Sequence, residues 1–442
     1  MGGVGRGANG RGTLAFCAFA MMLSGACGRA PEPATAKGTA APAASPSNKA
    51  SLWHREGRAP GPIIDIHGHL SLFGIDRIEA VLDAVGIEAI INLSGGSGRG
   101  GARNRMASRV LAERLGGRVI NFALPDWDGC CDAAWAAREV QELRLARDQD
   151  GFAGLKISKA LGLAVTDASN ALIPVDDPRL DPLWRAAGVL GMPVAIHIAD
   201  PKAFWLPATP ENERYEELSV HPSWSWYQRG VPEWAAMLDA GERMFARNPG
   251  TTFIAVHFGN AAEDLARVRA MLGRLPNVCI DISARVGEFG RHPAAEVRQF
   301  FIDFQDRILF GTDIGIGDDH LMLGSNGAVE PTMADVLPFY EAHFRYLEGK
   351  ERQIDHPSPI QGRWKVDAIE LPDEVLDKVY RANARRVLGL GAGPIAPRPT
   401  RRPSPFAPAA ASDPSVGAGA APGMALRPTA PPASGSPPEE DH

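Results

Sequence analysis

The 442-residue chain predicts an α/β fold that closes as a (β/α)8 barrel. Three observations carry that expectation: eight short apolar runs, a helical pattern between successive runs, and a repeat of about 35 residues, the size of one strand-plus-helix unit. The runs are 62–67, 88–93, 118–124, 152–158, 193–198, 252–257, 278–282 and 307–312. Each is rich in Val, Ile, Leu and Phe with little polar alternation, as parallel strands covered on both faces require. Helical patterns such as 181–190, 233–247, 261–272 and 293–301 open with proline or an acid and close near glycine. An open doubly wound sheet is the alternative that strand counting leaves standing. The glycine-rich loop 95–101 follows a strand but lacks G-x-G-x-x-G spacing at a helix start, which argues against a phosphate cradle.

At 45% hydrophobic and 22% charged, the composition excludes a membrane-embedded or collagen-like chain. A net charge of −6 gives no reason to expect a nucleic-acid partner. Of 37 prolines, four fall in 28–50 and thirteen in 391–442. These segments therefore read as a disordered linker and a disordered low-complexity tail around a folded domain at 51–390. Residues 1–27 have the pattern of an export signal: Arg6 and Arg11, an apolar run 13–22, small residues, then Cys27. The segment 23–27 resembles a bacterial lipoprotein signal, although Ser24 stands where a bulky aliphatic is usual. The expected location is periplasmic, or membrane-anchored only through a lipid on Cys27. Cys17 lies in the signal, which leaves Cys130, Cys131 and Cys279. An odd set with two neighbours reads as buried thiols, not a disulfide framework or thiolate metal site.

Histidines and acids cluster at the ends of the apolar runs. His67 and His69 close the first, His197 the fifth, His257 the sixth and Asp313 the eighth. In a barrel those ends converge on one mouth. Side chains alternate along a strand, so His67 and His69 share a face with each other and with Asp65. Two imidazoles there, completed by His197 and Asp313, would hold one divalent ion with a position open to water. Such an ion activates water at neutral pH.

The D-x-H-x-H pattern of Asp65, His67 and His69, with His197, His257 and Gly311-Thr312-Asp313, resembles the amidohydrolase superfamily. The segment 380–390 is similar to the terminal helix of its second amidohydrolase-related branch, which contains metal-dependent hydrolases and aminocarboxymuconate-semialdehyde-type decarboxylases. The likeness spans 63–390 and implies a metal-dependent TIM barrel, with zinc the usual ion and one ion the usual count. It makes His67, His69, His197 and Asp313 the metal ligands. Asp313 would double as general base, and His257 would orient water or polarise a substrate carbonyl. Asp65, deeper in its strand, would support the ligands without coordinating. Lys156 would bridge two ions if carboxylated, bind a substrate carboxylate or form a structural ion pair. Lys159 reads as solvent-exposed. Arg285 would clamp a carboxylate or pair with a neighbouring loop.

The connection between the fifth and sixth runs is long and aromatic over 200–231, and follows a strand at the mouth. Its Trp205, Trp224 and Trp226 would line an apolar or aromatic part of a small-molecule substrate, or simply pack the excursion down. His221 reads as structural. The favoured function is hydrolysis of a C–N or C–O bond in an amide, lactone or ester. The alternatives are metal-dependent decarboxylation of a small carboxylic acid, and an exported binding protein without turnover.

Overall fold

The computed structural model describes residues 62–94 and 101–395, with the backbone alone at 101–104. The expected signal, the linker, residues 51–61 and the tail beyond 395 lie outside the described residues. Eight parallel strands stand side by side in chain order: β1 (Ile63–Leu70), β2 (Ile87–Asn92), β3 (Val119–Ala123), β4 (Gly154–Ile157), β5 (Val194–Ile196), β6 (Phe253–Ala255), β7 (Val278–Asp281) and β8 (Ile308–Leu309). Ile66 N donates to Phe310 O at 3.0 Å, which closes β8 onto β1. The barrel expected from the sequence is therefore the fold, and the open sheet is not.

Eight principal helices alternate with the strands: α1 (Ile75–Val85), α2 (Gly101–Arg114), α3 (Ala133–Asp150), α4 (Asp181–Val189), α5 (Trp234–Arg247), α6 (Leu265–Arg274), α7 (Ala294–Asp303) and α8 (Val336–Glu348). In α1 the buried side chains are Ile78, Val81, Leu82 and Val85, one stripe at helical spacing. Its end is set by Gly86, whose φ of 79° suits glycine and whose N–H donates to Leu82 O. No described helix is long and apolar enough to cross a membrane.

Two apolar layers result. Ile64, Ile66, Ile91, Phe122, Ile254 and Leu309 fill the barrel interior, where Ala384 and Leu388 pack against them. Outward-facing strand residues join the inner faces of the helices in a second, larger core. Ile64 and Ile66 face inward, yet the register of β1 against β2 slips between Asp65 and Gly68. That irregularity lets His67 turn into the mouth while Asp65 turns to the helices.

Several features depart from the sequence reading. A hairpin, β9 (Ile314–Ile316) and β10 (Leu321–Leu323), follows β8, with β9 parallel to the far end of β1. β6 stops at Ala255 because His257, Phe258 and Asn260 adopt left-handed backbone at φ 55°, 58° and 58°. The 200–231 excursion carries a short helix at Tyr215–Val220 between turns at Lys202–Trp205 and Pro222–Trp224. Cys130 and Cys131 are both buried, as the sequence reading expected. Cys279 is a free buried thiol.

α8 is fixed by an aromatic cluster in which Phe310, at the end of β8, meets Tyr340, His343, Phe344 and Tyr380. His343 is fully enclosed, with Nδ1 donating to Phe339 O at 2.9 Å. Burial pulls its pKa from 6.5 down to about 4, against the raising effect of that hydrogen bond. The unfolded chain therefore binds the proton first, and stability falls as pH drops from 6.5 towards 4. The integrated contribution is about 3 kcal/mol. In urea titrations, His343→Leu is expected to lose less stability than the wild type over that window. Equal losses in both proteins would contradict this role.

Candidate active site

Asp281 organises the mouth. It is an acid inside an otherwise apolar strand, completely enclosed, and both of its oxygens accept hydrogen bonds. Its Oδ2 accepts from His67 Nδ1 at 2.8 Å. Its Oδ1 accepts from His257 N at 2.7 Å, Ser283 N at 3.1 Å and Ser283 Oγ at 2.6 Å. Because Nδ1 of His67 carries the proton towards Asp281, the lone pair sits on Nε2. That Nε2 is buried and has no hydrogen-bond partner.

Three possible ligands for a cation meet there. Asp313 Oδ1 lies 3.3 Å from His67 Nε2 and 3.2 Å from His69 Nε2. Their ligand atoms all fall within 4.8 Å of one another. Asp313 reaches this place with a left-handed φ of 64°, its N–H bonded to His67 O at 2.9 Å. Strained backbone at Asp313 and His257 marks positions where side-chain direction outweighs local comfort. Burial, with Lys156 and the other imidazoles nearby, keeps His67 well below its usual pKa and hence neutral. Burial likewise holds His257 neutral. Burial would raise the Asp313 carboxyl, but His67 and His69 more than offset it and hold it well below the usual range. Two imidazole nitrogens and a carboxylate within reach of one another are the donor types a divalent ion takes, so the residues fit one. A second grouping, His67, His257 and Asp281, fits less well because Asp281 already accepts from His67 Nδ1, His257 N and Ser283.

The other expected residues gather around this group. His257 Nδ1 donates to Ser283 O at 3.0 Å, leaving Nε2 as an acceptor. Its ring centroid lies 4.7 Å from that of His67 and 4.4 Å from that of His197. His197 stands apart from the tightest trio: its Nε2 is buried without a hydrogen bond, 3.6 Å from Asp200 Oδ1. Burial lowers its pKa to about 4, Asp200 opposing. Asp65 does not share the His67/His69 face, because of the slip in β1. It accepts from Thr312 Oγ1 at 2.6 Å, Tyr340 OH at 2.7 Å and His67 N at 3.0 Å, bracing the neighbours of two ligands.

The family comparison bears on this arrangement directly. The amidohydrolase family model matches residues 64–390, which takes in every strand from β1 to β8 and all of these residues. The chain belongs to the amidohydrolase family. Its fold and its place among metal-dependent barrel enzymes follow from that membership. Solved structures it resembles include 2,6-dihydroxybenzoate decarboxylase from Rhizobium, at 16% identity over 75% of this chain and 99% of that one, with a TM-score of 0.46. Dihydroxybenzoic acid decarboxylase from Polaromonas sp. JS666, solved with manganese and 2-nitroresorcinol, gives 13%, 75%, 98% and 0.46. Dihydroorotase from Campylobacter jejuni gives 13%, 75%, 84% and 0.40. Comparison with curated proteins returns no match.

Within this amidohydrolase-family barrel, two cations complete the mouth. Lys156 on β4 is buried, and Nζ has no hydrogen-bond partner. Burial lowers its pKa to about 8, with Asp281 and Asp313 opposing. The structural ion pair foreseen for it has no partner among the described residues. Arg285 is also buried, and its Nη1 donates to Ala284 O at 2.6 Å. Lys159, expected in solvent, is instead half-buried, with Nζ 2.7 Å from both Asp200 oxygens. The indoles of Trp205 and Trp226 lie 6.2 Å apart and donate to Pro232 O and Asp200 Oδ2, while Trp224 stacks on His221 at 4.0 Å. His221 Nε2 pairs with Asn326 O at 3.0 Å.

Sequence reasoning missed Asp281, Ser283 and Asp200. The one available signal was an acid within the apolar run 278–282. Metal-stripped protein is expected to take up one Zn2+ per chain, read by titration with elemental analysis. His67→Ala should lower affinity at least about 100-fold with far-UV circular dichroism unchanged. Two ions per chain would instead require Lys156 as a bridging ligand, and wild-type affinity in His67→Ala would remove His67 from the set.

Proposed function

We propose that this chain is a zinc-dependent hydrolase that cleaves a C–N or C–O bond in a small carboxylate-bearing substrate with an apolar or aromatic body. His67, His69, His197 and Asp313 are the proposed ligands, and their nitrogen-rich set with one carboxylate suits zinc. When bound, the ion supplies Lewis acidity to water and to a substrate carbonyl. The observation that carries the reading is the Asp313 carboxylate set beside two imidazole nitrogens, 3.2 Å from His69 and 3.3 Å from His67. A carboxylate so placed accepts a proton from attacking water and returns it to the leaving nitrogen or oxygen. His257, with Nδ1 committed to Ser283 O, offers an acceptor at Nε2 and so orients water in preference to polarising a carbonyl. Lys156 and Arg285 would hold the substrate carboxylate. The ring faces of Trp205, Trp224 and Trp226 would pack its apolar body. Export directed by residues 1–27 would place the reaction outside the cytoplasm.

Decarboxylation of a small carboxylic acid is the second reading, favoured by Lys156 Nζ lying buried beside these groups without a partner. A panel of lactones, amides and esters, each with and without a carboxylate, run in 18O-labelled water separates the two. Acid-bearing compounds should turn over with label in the product, and Asp313→Asn should cut kcat by about 100-fold or more. Lys156→Met is expected to raise KM about tenfold or more with a smaller effect on kcat. Carbon dioxide release without label in the organic product would replace hydrolysis by decarboxylation.

A further inference from the structure

Asp200 lies three residues after His197 and opens the aromatic excursion. The residue is 4% exposed, yet it meets three separate parts of the mouth. Both carboxylate oxygens accept from Lys159 Nζ at 2.7 Å, which arrives from the connection after β4. Oδ2 also accepts from Trp226 Nε1 at 2.8 Å, from the far arm of the excursion. Oδ1 stands 3.6 Å from His197 Nε2, which has no hydrogen bond of its own. The backbone carbonyl of Asp200 accepts from Trp234 Nε1 at 3.1 Å, at the start of α5. Lys159 Nζ in turn lies 5.9 Å from the centre of the Trp224 ring.

We propose that Asp200 is a positioning residue that sets the His197 imidazole and the aromatic wall of the mouth as one unit, through Lys159 and Trp226. The proposal rests on the reading of His197 as an ion ligand. With Asp200 on its Nε2 side, His197 would ligate through Nδ1 and keep this carboxylate as the outer partner of the ring; loss of such partners commonly costs 10- to 100-fold in metal affinity. Here the same carboxylate is anchored by Trp226 of the aromatic wall and by Lys159 from the connection after β4, whose Nζ lies over the Trp224 ring. Displacing the wall therefore moves the charge that steers His197. By linkage, an ion that engages His197 must also stabilise the wall. Neither Trp226 nor Lys159 needs to touch the ion for this to hold.

The test uses the full chain, stripped of metal and titrated with Co2+, whose visible spectrum reports ligand geometry. In parallel, trypsin cleavage after the exposed Arg229, three residues from Trp226, reports local opening of the wall. In the wild type, Co2+ should slow that cleavage. Asp200→Asn should weaken Co2+ binding about tenfold, shift the visible band, and make cleavage insensitive to Co2+. Trp226→Phe keeps an aromatic ring but lacks the N–H, and should move all three readouts the same way with smaller amplitude. It decides the matter alone if Asp200→Asn does not fold. Co2+ affinity and spectrum unchanged in both variants would overturn the role of Asp200. Absence of Co2+ uptake by the wild type would overturn the ion-binding reading itself, so the two failures are distinguishable.

Discussion

The hydrogen bond from His67 Nδ1 to Asp281 governs what the barrel mouth can do. A neutral imidazole has one proton and one lone pair, and Asp281 takes the proton side. The lone pair is thereby committed to Nε2, towards Asp313 and His69. The same carboxylate receives His257 N and Ser283, so one buried acid ties the His67 imidazole to the backbone that delivers His257. Such an acid would be costly to bury alone, but four donors surround it.

Backbone strain serves the same end. Asp313 and His257 both hold left-handed conformations that ordinary residues avoid, and each is secured by a main-chain hydrogen bond to a neighbour in the site. Asp65 holds Thr312, the residue before Asp313, and the N–H of His67 together, and reaches Tyr340 of α8. The aromatic cluster around Phe310 then ties α8 to the strand that delivers Asp313. Packing at some distance from the mouth thus decides where the carboxylate stands.

Much of this was legible in the sequence. Eight apolar runs at regular spacing gave the barrel, because parallel strands covered on both faces leave that composition. The strand-end positions of His67, His69, His257 and Asp313 gave most of the site, because strand ends of a barrel share one mouth. The face of Asp65 was not legible, since the slip in β1 depends on pairing with β2 and β9. Asp281 reads locally as an interruption in an apolar run, and its partner His67 is 214 residues away. The burial of Lys159 depends on Asp200 from the following unit. Positive φ at His257 and Asp313 leaves no mark in side-chain periodicity, so β6 was expected to run two residues too far.

Anomalous diffraction from zinc-soaked crystals, recorded on both sides of the zinc absorption edge, would address the central claim most directly. The account requires a single strong peak in contact with Nε2 of His67, Nε2 of His69 and the Asp313 carboxylate. A peak elsewhere, or none at full zinc occupancy of the mother liquor, would contradict it.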